Sequence, residues 1–232
     1  MNTQKFNTTI ASTWLFAMFY GFFPLFITNT ASAGTGFNLG TSGAKKVSLD
    51  NKVNTNEVKF LSEAPLETIK GSASGIKGAF SFDPQNIEAT EGEVMIQVKT
   101  MMTGVALRDS HMASEEWLDE AKFPAIVFKI EKISDVKITS TDASAGRGVA
   151  QGTAKGTFTL HGVSKAVIVP ITLTYVKESA GTKQRAPGDF VFVQGKFAVN
   201  WKEFGVKGKN SAAGKVNENI SIEATLFGSN AL

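Results

Sequence analysis

The feature that most constrains the fold is a two-residue hydrophobic period that recurs along most of the chain. Its longest instance lies at residues 167–175, where Val167, Val169, Ile171, Leu173 and Tyr175 occupy every second position. Because successive side chains of a β-strand point to opposite faces, this pattern predicts strands with one buried face and one exposed face. Similar segments lie at 58–60, 79–82, 94–98, 126–130, 157–160, 190–192, 197–201 and 220–226.

Turn-forming sequences separate these segments, among them "DPQN" at 83–86 and "HGVSK" at 161–165. About eight strands at this spacing predict an all-β antiparallel fold, either a sandwich or a barrel. A closed sheet of about eight strands holds side chains or one small ligand, and closure removes both sheet edges. The pattern alone does not separate the two. Only one segment has the signals of a helix: it begins after Ser114, a suitable N-cap, and stops before Pro124.

The first 33 residues predict a secretory signal peptide. Lys5 supplies a positive start, residues 14–27 form an apolar run, and Ala31 and Ala33 occupy the small-residue positions of a cleavage site. Cleavage is therefore expected after Ala33. The alternative is an uncleaved anchor, although the apolar run is short for a membrane span of about 20 residues.

Composition limits the fold and the partners of the processed chain. Residues 34–46 are rich in Gly, Ser and Thr and predict a flexible leader, which places the folded domain at 47–228. The chain has no Cys, so an exported domain must be stabilised by its core, to which 18 Phe can contribute. The net charge of +3 comes without a cluster of Lys and Arg, so nucleic acid is not an expected partner.

Residues able to carry chemistry concentrate in "LRDSHMASEEWLDEAKFPAIVF" at 107–128. The only two histidines are His111 and His161, which with Asp109 or Asp119 could supply the three protein ligands of a catalytic zinc. A structural role is the other interpretation, with His161 as a turn residue. Arg108, Asp109 and His111 likewise fit either an ion-paired corner of the scaffold or a polar site for a ligand head group.

Three stretches resemble the YceI-like family: "RDSHMASEEWLDEAKFPAIVFK" at 108–129, "GTFTLHGVSKAVIVP" at 156–170 and "KEFGV" at 202–206. The resemblance implies a lipocalin-like antiparallel β-barrel with an elongated apolar cavity. It also implies a periplasmic, non-enzymatic protein that binds polyisoprenoid lipids, including isoprenoid quinones. One departure is the absence of His from residues 54–84, where the family often has it.

The resemblance therefore predicts binding, transport or sequestration of a long isoprenoid lipid, with no metal and no cofactor besides that lipid. The alternatives are a binder of another amphiphile, such as a fatty acid or amide, and a metal-dependent hydrolase using Asp109, His111 and His161. A transient membrane contact and a monomeric or homodimeric state are also expected. The head-group or cavity-mouth candidates are Arg108, Asp109, His111, Asp119 and His161. The cavity or helix-packing candidates are Met112, Trp117, Phe123, Phe128, Phe158, Phe192 and Trp201.

Overall fold

Antiparallel strands make up most of the described chain, as the two-residue period predicts. The computed structural model describes Met1 and residues 34–231, so the signal-peptide prediction lies outside the described residues. The strands there are β1 (Lys45–Leu49), β2 (Glu57–Glu63), β3 (Thr68–Ala73), β4 (Ile76–Phe82), β5 (Glu91–Gln97), β6 (Met101–Met102), β7 (Ala125–Asp142), β8 (Arg147–Leu160), β9 (Val163–Val176), β10 (Phe190–Asn200) and β11 (Asn219–Ser229).

Helices are short. They are α1 (Ala106–Ala113) and α2 (Ala180–Lys183), with single 3-10 turns at Ile87–Ala89, Val98–Thr100, Trp201–Phe204 and Asn210–Ala212. Within residues 34–231, no helix has the length and apolar character needed to cross a bilayer.

Eight of the strands close into a barrel. They follow the order β1-β4-β5-β7-β8-β9-β10-β11, and β11 pairs with β1 through Ser229 and Ser48. This last pairing decides between the sandwich and the barrel that the sequence pattern left open. It confirms the closed antiparallel barrel of about eight strands that the family resemblance implies.

The remaining three strands close the opposite end. The first half of β11 pairs with β2 at Ser221–Thr225, β2 pairs with β3, and β3 pairs with β6. Strand β6 comes after β5 and one 3-10 turn, so the ring is completed a second time. We call the end closed by β1 the base, and the end bordered by β2, β3 and β6 the mouth.

The base contains residues that the sequence assigned to a flexible leader, and that prediction is wrong. Phe37 and Leu39 belong to the buried cluster of the base, and the Phe37 ring stacks on Tyr175 at 6.2 Å between centroids. The Phe37 N–H also donates to the Pro84 carbonyl at 2.6 Å. Gly36 lies so close to the Gln85 backbone that a Cβ atom would clash. Glycine here allows close packing, whereas composition alone suggested mobility.

The predicted helix after Ser114 is also wrong in position. Helix α1 ends at Ala113, and Ser114 is its C-cap, with both its N–H and its hydroxyl donating to the His111 carbonyl. The next segment is a series of turns in which Asp119 adopts a φ of 47°. A serine can satisfy a free carbonyl at a helix end as well as a free N–H at its start, and here the first role applies.

Candidate functional site: a two-chamber cavity

The barrel interior contains an apolar chamber of about 130 Å³ between the base and the mouth. Only one side chain of its wall is polar: Thr90, whose hydroxyl is satisfied by the Ile87 carbonyl at 2.7 Å. Small residues at inward positions leave the space: Ala73, Ala154, Gly195 and Ala224. No polar group in this wall is free to orient a ligand, so the inner chamber suits a hydrocarbon.

A second chamber of about 540 Å³ lies at the mouth. Its volume is within the range of about 300–1,000 Å³ that is common for small-molecule sites. Five residues line both chambers and form a neck between them: Phe60, Met101, Ile126, Phe158 and Ile222. The two chambers are thus consecutive parts of one apolar path into the barrel.

Charged residues occur only in the outer chamber, where Glu67, Arg108, Lys209 and Lys215 join the lining together with His111. Arg108 donates from Nη1 to Glu67 Oε1 at 2.6 Å and from Nε to Thr103 Oγ1 at 2.9 Å. Its expected partner Asp119 is therefore not the one it uses. The guanidinium is fixed at the mouth, with its charge largely balanced by Glu67.

Asp109 is turned towards the backbone that precedes α1. Its carboxylate accepts from the Thr103 hydroxyl at 2.5 Å and from the Thr103 N–H at 2.7 Å. These bonds, with the nearby Arg108 charge, hold the pKa of Asp109 below its ordinary value. Asp109 thus stabilises the start of α1, where Val105 has no side-chain cap of its own.

Two tryptophans form one wall of the outer chamber. The rings of Trp117 and Trp201 lie 5.4 Å apart, and the Trp201 Nε1–H donates to the Asn217 carbonyl at 2.8 Å. Gly208 packs against both rings, and Lys209 pairs with Glu116 at 2.6 Å. The loop that connects β10 and β11 is thereby anchored across this side of the mouth.

His161 is a turn residue. It forms with Gly162 the two-residue β8–β9 hairpin, and both have positive φ values of 51° and 76°. Such a turn requires positive φ at both positions, which Gly adopts freely and His adopts more readily than most residues. The ring packs on Phe123 at 4.6 Å between centroids, and its buried Nε2 has no hydrogen-bond partner among the described residues. The family-like "HG" and "FP" sequences therefore meet at a packed corner.

The three residues of the hydrolase hypothesis are not gathered. His111 lines the outer chamber, Asp109 bonds to Thr103, and His161 packs on Phe123. In the part of the chain that the structure describes, no three His, Asp or Glu side chains are grouped as metal ligands.

The apolar candidates divide into three groups. Met112, Trp117 and Trp201 line the outer chamber, Phe128 lines the inner one, and Phe158 belongs to the neck. Phe123 packs on the hairpin instead.

Phe192 lies on the outer face of the barrel, where it stacks on Phe227 at 4.5 Å, and its prediction as a cavity residue is wrong. The inward positions of β10 are Val191, Val193, Gly195 and Phe197. The sequence analysis also missed the small inward residues, whose signal was the recurrence of Ala and Gly within apolar strands.

Comparisons with known proteins agree with this geometry. A family model described as the YceI-like domain matches residues 48–227. A Pseudomonas fluorescens protein described as UPF0312 is 31% identical over 156 residues, which cover 67% of this chain and 72% of the relative.

Two solved structures share the fold. BcnA of Burkholderia cenocepacia has a TM-score of 0.59 at 17% identity and covers 77% of this chain and 98% of its own. A domain from Saccharophagus degradans, described as a polyisoprenoid binding domain implicated in plant cell wall breakdown, has a TM-score of 0.56 at 16% identity. The alignment covers 79% of this chain and 98% of that domain.

Proposed function

The chain belongs to the YceI-like family, and from this premise we propose that it binds a long isoprenoid lipid and carries or sequesters it in the periplasm. The observation that supports the proposal most is the continuous apolar path from the outer chamber through the neck to the inner chamber. The Saccharophagus degradans domain described as polyisoprenoid-binding adds support for this ligand class. Because Asp109, His111 and His161 are dispersed, we propose binding without catalysis.

The dimensions suit an extended tail. On β8, the lining runs from Ala154 in the inner chamber to Leu160 in the outer one. Six residues at about 3.3 Å each give a path of about 20 Å along the strand. The small inner chamber accepts only the end of a tail, while the wider outer chamber accepts the rest and a polar head near Arg108 and Lys215. An isoprenoid quinone fits this arrangement, since its head is compact and uncharged.

The energetics suit a carrier. Burial of each CH₂ contributes about 0.8 kcal/mol, so a tail of about 20 carbons gains about 16 kcal/mol relative to water. A bilayer gives the lipid nearly the same gain. Transfer from membrane to barrel is thus close to neutral before ordering costs, and the lipid can be both taken up and released.

The test begins with native mass spectrometry of protein purified from its own periplasm, with organic extraction of the bound material. An isoprenoid chain is expected. A co-purified fatty acid or amide would favour the second candidate, an amphiphile binder that the purely apolar inner wall would also accommodate. A protein that carries a stoichiometric metal ion and no lipid would contradict both.

A matched pair of variants then locates the site. Ala154→Phe fills the inner chamber and is expected to abolish retention of the lipid, whereas Ala198→Phe adds the same bulk to an exposed position of β10 and should retain it. Ala224→Phe provides a second filling variant from β11, in case overpacking at Ala154 prevents folding. Equal lipid content in all three folded variants would contradict an inner-chamber site.

A further inference from the structure

Exposed apolar side chains cluster around the mouth of the barrel. Leu66 is 72% exposed at the β2–β3 turn, and Leu107 is 68% exposed on α1. Met102 on β6 and Val105 before α1 are also exposed. We call Leu66, Met102, Val105 and Leu107 the rim. Large apolar side chains are normally exposed singly, so four around one opening mark an interaction surface.

Local contacts show that the rim is one surface. Leu66 donates its N–H to the Gly214 carbonyl of the β10–β11 loop, and the neighbouring Glu67 binds Arg108 of α1. Met102 pairs with Ser72 on β3, the strand that begins at the Leu66 turn. Val105 and Leu107 also line the outer chamber, so the apolar wall of the cavity continues over its edge onto the exterior.

Charges beside the rim indicate the kind of surface that it meets. The β10–β11 loop carries Lys207, Lys209 and Lys215 and no acidic residue between positions 205 and 217. Among the described residues Lys209 has a partner, Glu116, whereas Lys207 and Lys215 are exposed and form no ion pair. On the other side, Glu115 and Glu120 add negative charge, so burial of the rim rather than net charge dominates docking. Free lysines beside an exposed apolar edge fit a layer of lipid phosphates above hydrocarbon.

We propose that the rim docks on the surface of a lipid bilayer, with Leu66 and Leu107 inserted at the acyl boundary and Lys207 and Lys215 among the phosphates. This rests on the proposed function and extends it, because docking places the cavity mouth against the membrane. A tail can then move between bilayer and barrel along a continuous apolar surface without crossing water.

The experiment measures partition of the processed protein onto phosphatidylcholine vesicles with and without phosphatidylglycerol. Leu66→Gln with Leu107→Gln is expected to weaken partition at least about tenfold, since each leucine loses burial of an apolar side chain. Ile168→Gln is the matched control, because Ile168 is 63% exposed on the barrel wall, and it should partition like the wild type. Equal losses in both variants, or no partition of the wild type, would overturn the proposal.

The lysines have their own comparison. Lys207→Gln with Lys215→Gln should weaken only the part of the partition that depends on phosphatidylglycerol and is screened by salt. Lys132→Gln with Lys137→Gln, both exposed on β7, removes the same charge from the wall and should leave partition unchanged. If both pairs behave alike, the β10–β11 loop does not face the lipid. If the rim variant instead abolishes a concentration-dependent dimer, and no form binds vesicles, the rim contacts a second copy of the chain and docking is wrong.

A last measurement separates this proposal from the proposed function. Each variant is offered a long-chain isoprenoid quinone either in detergent or in vesicles. A rim variant that takes quinone from detergent but not from vesicles supports docking. A wild type that partitions onto vesicles yet takes no quinone from detergent leaves docking in place and contradicts the quinone as ligand.

Discussion

The base and the mouth close the same barrel in opposite ways. At the base, β1 completes the ring, Phe37 and Tyr175 are 1% exposed, and Asp189 is surrounded by hydrogen-bond donors. At the mouth, three short strands border a wide chamber whose rim exposes large apolar side chains to solvent. Dense burial stabilises one end, while incomplete burial at the other leaves room for a ligand.

This contrast separates stability from binding along the barrel axis. Changes at the base should alter the free energy of unfolding and leave the affinity for lipid intact while the protein is folded. Changes at the mouth should do the reverse. Variants at each end can therefore contradict the division directly.

The largest effect on stability is expected from Phe37→Ala. The side chain fills the base against Tyr175 and lies within a close approach of Gly148, so its removal leaves a cavity. Loss of a buried Phe costs about 3–5 kcal/mol. Urea unfolding measures this, with Phe192→Ala as the control, since that ring stacks on the outer face and its loss should cost about 1 kcal/mol. A loss at Phe37 no larger than at Phe192 would mean that the N-terminal segment does not close the base.

Asp189→Asn should have the next largest effect, about 2–3 kcal/mol at neutral pH. The carboxylate accepts from the Glu178 N–H at 2.9 Å and from Asn230 Nδ2 at 2.8 Å, and it pairs with Lys45 at 3.2 Å. Burial opposes its ionisation, but these donors together with Tyr175 outweigh burial and lower the pKa of Asp189. Burial also raises the pKa of the neighbouring Tyr175 to about 12, so its hydroxyl remains a donor at neutral pH.

The pH dependence of that difference is set by its sign. Because folding lowers the pKa of Asp189, its contribution to stability is complete above the unfolded value of about 3.9 and is lost as the pH falls through the folded pKa. The stability gap between wild type and Asp189→Asn should thus narrow below about pH 4. Urea titrations at pH 7 and at successively lower pH values measure it, and a gap that stays constant would rule out the charge as its cause.

The sequence predicts the walls of this molecule better than its ends. Alternation on β7, β8 and β9 identifies strands because long hairpins combine local pairing with one buried face. The pairing of Ser48 with Ser229 joins positions 181 residues apart, and no local pattern reports it. Burial of Phe37 was missed for the same reason, since its partner Tyr175 lies far along the chain.

The candidate site shows the same limit. The signature around Arg108 directed attention to the mouth, and Arg108, His111, Met112 and Trp117 do line the outer chamber. On β10 the apolar residues change parity between Phe192 and Phe197, so alternation could not decide which of them faces inward. Cavity volume depends on the small residues Ala154 and Gly195, which a search for large apolar or charged residues passes over.

The smallest effect is expected from Arg108→Ala, which tests whether the mouth contributes charge or only shape. The Arg108–Glu67 pair is partly exposed, with side chains 28% and 40% accessible, so its loss should cost about 1 kcal/mol or less. Since tail burial provides most of the binding free energy, affinity for a quinone should change by less than about tenfold. Quenching of the paired Trp117 and Trp201 by the quinone measures it at the mouth itself. Glu67→Ala is the control, because it frees the same guanidinium without removing it. If Arg108→Ala loses all ligand and Glu67→Ala binds more tightly, the head group carries negative charge, and the mouth selects the lipid by electrostatics as well as by width.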